Sequence, residues 1–165
     1  MTARVVLIGP MGAGKTRVGK RVARELGLEF SDTDKIVVAE HGPIAALFDS
    51  QGESHFRVLE RAAVARALQG EGVVSLGGGA VLDPSTRAQL VELPVVYLTV
   101  TAEAVAPRIG DGRRPLVRDG IGEWERIFTL RRPIYEELAD LTIDTSKRSY
   151  DSIAQEVARW TQQTV

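Results

Sequence analysis

The segment 9–16 reads Gly-Pro-Met-Gly-Ala-Gly-Lys-Thr, which has the residue types and spacing of a phosphate-binding loop, or P-loop. Its glycines permit backbone conformations in which successive N–H groups turn inward around an anion. Lys15 supplies a positive charge for the β- and γ-phosphates, and Thr16 supplies a hydroxyl for Mg²⁺. The segment therefore predicts binding of a nucleoside triphosphate, and the alternative is a glycine-rich turn with an exposed lysine.

Two carboxylates, Asp32 and Asp34, follow the second apolar run of the chain. At positions i and i+2 of an extended backbone, both side chains point the same way. Such a pair can serve Mg²⁺ on one side and a substrate hydroxyl on the other. The alternative is a cap, in which Asp32 or Thr33 starts a helix near Lys35. The P-loop upstream favours the functional interpretation.

Three glycines, 77–79, end the third apolar run and expose backbone amides there. The alternative is a flexible turn before the next helix.

Between the second and third apolar runs, Phe56, Arg57 and Glu60 have helical spacing. A planar arginine suits a substrate carboxylate, but the charges also fit a surface ion pair and Phe56 fits a core position.

The elements that must position these residues alternate between apolar runs and segments with helical spacing. This alternation indicates an α/β fold with a mostly parallel sheet, whose unbroken apolar strands are buried on both faces. Such sheets bind ligands at the carboxyl ends of their strands, where the polar segments lie. Helices are predicted over Lys15–Leu26, from Asp83-Pro84 onward, and after Ser149. The predicted strands are Val5–Ile8, Leu28–Phe30, Val73–Leu76, Val95–Val100 and Leu141–Ile143.

The composition fits one globular domain of 165 residues, 44% hydrophobic and 26% charged. Lysine and arginine number 21 and acidic residues 22, so no overall basic field predicts binding to nucleic acid or to an anionic membrane. The absence of cysteine excludes disulfides, thiolate zinc sites and cysteine nucleophiles. With no apolar leader and no long apolar run, we expect a cytoplasmic protein that does not enter a membrane.

A set of motifs resembles the shikimate kinases, in order and at similar spacing over nearly the whole chain. The set comprises the P-loop, Asp32-Thr33-Asp34, Phe56-Arg57, Gly77-Gly78-Gly79, Arg114-Pro115-Leu116 and Arg131-Arg132-Pro133-Ile134-Tyr135. The resemblance implies a nucleoside monophosphate kinase-like fold, with a five-stranded parallel sheet in the order 2-3-1-4-5, flanking helices and a mobile lid. It also implies one kinase domain over 1–165, with a substrate-binding helical region near 32–61 and a lid near 110–122.

The reaction implied by the resemblance is transfer of the γ-phosphoryl group of ATP to the 3-hydroxyl of shikimate, toward chorismate and the aromatic amino acids. Phosphoryl transfer depends mainly on positioning and charge neutralisation. The resemblance gives catalytic roles to Lys15, Asp34 and Arg114, with Asp34 as the candidate general base. It gives ATP contacts to Gly12, Ala13, Gly14, Lys15, Thr16, Arg17, Arg108 and Arg114. It gives shikimate contacts or pocket positions to Asp34, Phe48, Phe56, Arg57, Glu60, Gly78, Gly79 and Arg131. It gives Mg²⁺ contacts to Thr16 and, through water, to Asp32.

The segment 110–122 is rich in glycine and arginine, as expected of a lid that closes over the reactants and excludes water. Arg114 matches the family's lid arginine, and Arg113 beside it is an alternative. Arg131 and Arg132 point about 100° apart on a helix, so only one of them is expected to face the pocket. The family pattern selects Arg131. The adenine loop is expected at 146–149, where the chain lacks the family's asparagine.

Fold and P-loop do not select the acceptor, so a gluconate-type or nucleoside monophosphate kinase is the alternative function. A small GTPase is disfavoured because the chain has no Asn-Lys-x-Asp motif and no asparagine at all. A homologue that only binds ligands is disfavoured by the complete set of charged motif residues. His41 and His55 lack metal-ligand spacing and the two tryptophans are predicted to pack, so none of them is assigned chemistry. The family resemblance predicts a monomer.

Overall fold

The computed structural model describes residues 2–109 and 120–164. A parallel sheet of five strands, in the order β2-β3-β1-β4-β5, forms its centre. The predicted fold class and strand order are therefore confirmed. The strands are β1 (Val5–Ile8), β2 (Phe30–Asp32), β3 (Val73–Ser75), β4 (Val95–Thr99) and β5 (Leu141–Asp144).

Helices connect successive strands. Gly14 precedes the first of them and Gly27 ends it in the left-handed conformation, which gives this helix its predicted bounds. Short 3₁₀ helices cover Ala80–Leu82 and Ala106–Arg108. The α-helices are α1 (Lys15–Leu26), α2 (Thr33–His41), α3 (Ile44–Leu68), α4 (Pro84–Leu90), α5 (Ala102–Val105), α6 (Ile121–Leu138) and α7 (Tyr150–Thr164).

The strand β1 is buried on both faces, as its unbroken apolar run predicts. Val5 and Leu7 point into a core formed with α1 and α7. Val6 and Ile8 point into a second core, which includes Tyr135 of α6 and residues of α3. The sheet is therefore fixed between two helical layers, which gives the loops at its ends a rigid support.

Three polar segments meet at one edge of the sheet because parallel strands end on the same side. The P-loop follows β1, Asp32 ends β2, and the three glycines follow β3. Ser75 of β3 pairs with Leu7 of β1 on one side and with Asp32 of β2 on the other. The end of β3 therefore lies between the P-loop and the acidic segment, as the strand order implied by the family resemblance predicts.

Two helices begin where the sequence places them. Asp83 accepts a hydrogen bond from the Thr86 N–H at 2.9 Å and caps α4, while Ser149 accepts one from the Ser152 N–H at 3.1 Å at the start of α7. Among the described helices, none is both long enough and apolar enough to cross a bilayer.

Candidate active site

The P-loop surrounds the first turn of α1. Gly14 has a φ of 98°, and a side chain there would also press against the ring of Tyr150, so glycine is required for two reasons. The Lys15 ammonium donates hydrogen bonds to the carbonyls of Gly9 at 2.7 Å and Pro10 at 3.0 Å. The lysine is therefore held against its own loop, and it lines the cleft beside that loop.

Asp32 has two roles that the sequence presents as alternatives. One carboxylate oxygen accepts a hydrogen bond from the Thr16 hydroxyl at 2.5 Å. The other accepts from the backbone N–H of Asp34 at 3.0 Å and of Lys35 at 3.3 Å, which caps α2. A single carboxylate thus starts the helix and ties it to the P-loop.

The expected extended geometry of Asp34 is wrong. The helix begins at Thr33 rather than near Lys35, so Asp34 lies in its first turn while Asp32 ends β2. The physical reason is the cap, because the Asp32 side chain satisfies N–H groups that an extended backbone would direct elsewhere. Thr33 does not cap the helix, and its hydroxyl accepts from the Gly77 N–H at 3.0 Å.

A cleft of about 720 Å³ opens beside the P-loop. Basic side chains outnumber acidic ones in its lining, which suits an anionic ligand. Its charged lining residues are Lys15, Arg17, Lys20, Lys35, Arg108, Asp32 and Asp34. Gly12, Gly14, Thr16, Gly78 and Tyr150 also line it. Most of the predicted nucleotide contacts are therefore brought together in one cleft.

Arg57 lies against the glycine turn after β3. A Cβ at Gly79 would overlap its guanidinium, so the close approach requires glycine. Arg57 donates a hydrogen bond to the buried Glu60 at 2.7 Å and another to Glu53 at 3.1 Å. Its guanidinium also lies 5.2 Å from the ring centroid of Phe56. This arginine is held in place rather than solvated at the surface.

Asp34 faces the same turn from the other side. A Cβ on Gly77 would overlap the Asp34 carboxylate and would lie 2.9 Å from an oxygen of Glu60, so both carboxylates flank this glycine. Burial, followed by the charges of Glu60 and Asp32, raises the pKa of Asp34 to about 7, although Lys15 and Arg57 act in the opposite direction. Burial also raises the pKa of Glu60, with Arg57 opposing the shift.

The structure distinguishes the two neighbouring arginines of α6. Arg131 is 5% exposed, and its guanidinium lies 3.5 Å from the position of a Cβ on Gly78. Arg132 is exposed and pairs with Glu136 at 2.7 Å. Tyr135, one turn after Arg131, donates its hydroxyl to the Gly78 carbonyl at 2.5 Å. Arg131 is therefore the arginine beside the glycine turn.

Comparison with known proteins places this geometry in a family. The family model described as shikimate kinase matches residues 11–162. The chain belongs to the shikimate kinase family. A shikimate kinase from Salinispora arenicola is 46% identical over 157 residues, covering 93% of this chain and 94% of that protein. The solved shikimate kinase from Acinetobacter baumannii in complex with shikimate is 31% identical, with a TM-score of 0.93, and covers 99% of this chain and 94% of that one.

Membership in the shikimate kinase family makes the chain a P-loop kinase and disfavours the GTPase and the binding-only alternatives. The gluconate-type alternative has a structural relative, since a solved gluconokinase from Sinorhizobium meliloti has a TM-score of 0.60. At 19% identity that likeness concerns the fold alone. The family match therefore favours a shikimate kinase over a gluconate-type or nucleoside monophosphate kinase.

Arg108, which also lines the cleft, is anchored to the backbone. It donates to the carbonyls of Gly12 at 3.0 Å and Thr145 at 3.3 Å, and its guanidinium lies 5.8 Å from the ring centroid of Tyr150. Thr145 in turn donates its hydroxyl to the Ala13 carbonyl at 2.7 Å. The loop after β5, where the adenine contacts are predicted, is thereby fastened to the P-loop.

Other predicted residues have different surroundings. Phe48 packs on Phe56 with ring centroids 5.1 Å apart, in a small core shared by α2 and α3. Ile121 and Gly122, which the sequence assigns to the lid, form the first turn of α6. The predicted lid arginine Arg114 and its alternative Arg113 lie outside the described residues.

Sequence reasoning missed three residues that contact the site through the backbone or the P-loop: Trp124, Thr145 and Tyr150. Their partners are a backbone carbonyl or a glycine far away in the chain, so no local spacing marks them. For Trp124, the only signal in the sequence was the general preference of a buried indole N–H for a hydrogen-bond partner.

We expect Asp34→Asn to raise the thermal stability of the protein at pH 8, measured in EDTA without nucleotide. The folded-state pKa of Asp34 is about 7, above the ordinary value near 3.8, so the native state binds this proton more tightly than the unfolded chain. Asp34 therefore lowers stability progressively as the pH rises between those two values. The melting temperatures of variant and wild type should differ at pH 8 and converge near pH 4. A variant that is less stable at both pH values would contradict this electrostatic account.

Proposed function

We propose that the protein transfers the γ-phosphoryl group of ATP to the 3-hydroxyl of shikimate. The observation that carries the proposal is the place of Asp34, which lines the P-loop cleft and also flanks the glycine turn beside Glu60. One carboxylate thus lies between the cleft beside the P-loop and a glycine turn that Arg57 and Arg131 also approach. A donor phosphate and an acceptor hydroxyl bound on the two sides would meet beside it.

On the donor side, the P-loop amides and Lys15 bind the ATP phosphates, together with Gly12, Ala13, Gly14, Thr16 and Arg17. Arg108 flanks the nucleotide, and Arg114 delivers a further positive charge. Such fixed charges stabilise the loose transition state of phosphoryl transfer. Arg17 is exposed at the cleft, as a residue that contacts ATP only on binding would be.

The donor set at Thr16 and Asp32 fits Mg²⁺. A hydroxyl and a carboxylate 2.5 Å apart are hard oxygen ligands, and Mg²⁺ is commonly held by one or two such groups, by water and by substrate phosphates. Among residues 2–109 and 120–164, no three acidic, histidine or cysteine side chains come together as a metal site. Thr16 and, through water, Asp32 would hold the ion together with the substrate phosphates. The ion would neutralise phosphate charge when bound.

On the acceptor side, Arg57 and Arg131 bind the substrate carboxylate while Asp34 binds ring hydroxyls. Planar guanidinium groups suit a carboxylate because they offer paired donors. Glu60 holds Arg57 in position, Phe48 and Phe56 shape the wall, and Gly78 and Gly79 leave room at the turn. The Acinetobacter baumannii relative, solved in complex with shikimate, supports this acceptor.

Asp34 accepts the proton of the attacking hydroxyl. A general base works best when its pKa is near the operating pH, and burial raises the pKa of Asp34 to about 7. The hydroxyl oxygen forms the new bond to phosphorus, the bond to the ADP oxygen breaks, and the proton passes to the Asp34 carboxylate.

We propose that this reaction takes place in the cytoplasm, in line with the absence of cysteine, and that the enzyme acts as a monomer.

The test is turnover of Mg²⁺-ATP with shikimate, run in parallel with gluconate, AMP and no acceptor. We expect ADP release that depends on shikimate, with the 3-phosphate as product. Phosphorylation of another acceptor alone would overturn the substrate assignment and leave the P-loop argument intact. ADP release that is independent of any acceptor would overturn the kinase proposal itself.

A further inference from the structure

We infer that α6 is a bridge that holds the donor-side P-loop and the acceptor-side glycine turn at a fixed separation, with Trp124 and Tyr135 as its positioning residues. Each side chain makes one hydrogen bond to a backbone carbonyl of one loop. The inference rests on the proposed function, because it assigns the two loops to the two substrates.

The first contact is made by Trp124, in the first turn of α6. Its indole N–H donates to the Met11 carbonyl, at the tip of the P-loop, at 2.8 Å. The side chain is 3% exposed and packs on Phe128 with ring centroids 5.0 Å apart. A buried indole has few orientations and its N–H is a donor only, so this hydrogen bond fixes the P-loop carbonyl relative to the helix.

The second contact is made by Tyr135, near the end of the helix. Its hydroxyl donates to the Gly78 carbonyl at 2.5 Å, and the residue is fully buried. The ring stacks on Tyr97 of β4 with centroids 5.2 Å apart. Burial raises the pKa of Tyr135 to about 12, so the hydroxyl remains a donor at neutral pH. The glycine turn has no side chains of its own, and this bond supplies an anchor.

The spacing places both contacts on one face of the helix. Trp124 and Tyr135 are eleven residues apart, which on an α-helix is about three turns and roughly 16 Å. Arg131 lies on the same face between them. The cavity enclosed by α6 and the P-loop has a volume of about 10 Å³, close to the minimum for a single water. The helix is therefore packed directly against the P-loop.

This arrangement has a kinetic consequence. In-line transfer requires the donor phosphate and the acceptor hydroxyl to be aligned, and a displacement of about 1 Å can cost about 10²-fold in rate. If α6 sets the distance between the loops, loss of either contact leaves that distance unrestrained. Loss of the second contact then adds little, because the alignment is already gone. Independent local roles would instead give multiplicative losses.

The experiment is a double-mutant cycle with Trp124→Phe and Tyr135→Phe, measured as kcat at saturating ATP and shikimate. We expect each single variant to lower kcat by about tenfold, and the double variant to lower it by about tenfold rather than a hundredfold. The matched controls are Trp160→Phe on α7 and Tyr97→Phe on β4, which leave both hydrogen bonds in place. Both controls should remain within about twofold of wild type.

A second measurement does not depend on turnover. In Tyr135→Phe, hydrogen exchange of the amides of Gly9 and of residues 11–14 should accelerate about tenfold, although the deleted hydroxyl touches the other loop. Multiplicative losses of kcat, unchanged kcat in either single variant, or acceleration confined to 77–79 would each overturn the bridge. If Trp124→Phe does not fold, the exchange data on Tyr135→Phe decide. Absence of shikimate turnover in the wild type would overturn the proposed function, while the exchange result would still judge the bridge.

Discussion

Asp34→Asn is expected to lower kcat by about 10²- to 10⁴-fold, the range typical of a lost general base. The amide keeps the size of the carboxylate and can accept a hydrogen bond from the substrate hydroxyl, but it cannot take the proton. Desolvation and the charges of Glu60 and Asp32 raise the pKa of Asp34, so the substitution also removes a charge that its surroundings disfavour. Loss of activity together with gained stability at pH 8 would mark a residue retained for chemistry.

The control for this variant is Asp151→Asn, which changes an exposed carboxylate on α7 paired with Arg21. It should retain wild-type turnover, because an exposed pair of this kind contributes little. Rates are measured as ADP release with both substrates saturating, and the shikimate KM is recorded separately. Near-normal kcat with a raised KM would show that Asp34 binds the acceptor without acting as base, and would contradict the proposed proton transfer.

The fold was predictable because its signals are local. The unbroken apolar run of β1, the glycines at both ends of α1 and the proline after Asp83 each specify an element within a few residues. The strand order came from the family resemblance rather than from the strands themselves, since continuous apolar runs do not reveal which neighbour each one pairs with. The structure confirms that order.

The site was less predictable, because its geometry depends on contacts across the chain. Asp34 was expected on extended backbone, but Asp32 caps α2 and Asp34 lies in the first turn of that helix. Trp124 donates to a carbonyl 113 residues earlier in the chain, and Thr145 donates to one 132 residues earlier. Every residue has a backbone carbonyl, so the sequence does not mark which one accepts these hydrogen bonds. The contacts can be identified only from the structure.

Arg131 and Arg132 show what the sequence predicts and what only the structure decides. Helical periodicity separates their directions by about 100° but does not say which one faces inward. The packing of α6 decides it: Arg131 lies beside Gly78 and its charge lowers the pKa of the buried Glu60 relative to burial alone, while Arg132 forms an exposed ion pair. Two adjacent residues of the same type thus have opposite environments, which makes each the natural control for the other.

Arg131→Ala is expected to lower kcat/KM for shikimate by about 10²- to 10³-fold, since truncating one partner of a buried charge pair costs about 2–5 kcal/mol. The loss combines a missing partner for the substrate carboxylate with a buried Glu60 that loses the nearby charge of Arg131, although Arg57 still donates a hydrogen bond to it. Arg132→Ala should change kcat/KM by less than about twofold, because exposed ion pairs contribute little. Arg131→Lys should fall between them, since a lysine keeps the charge but not the planar pair of donors.

ATP binding to each variant, measured by titration without acceptor, should match wild type. Equal losses in the two alanine variants would contradict the assignment of Arg131 to the acceptor pocket.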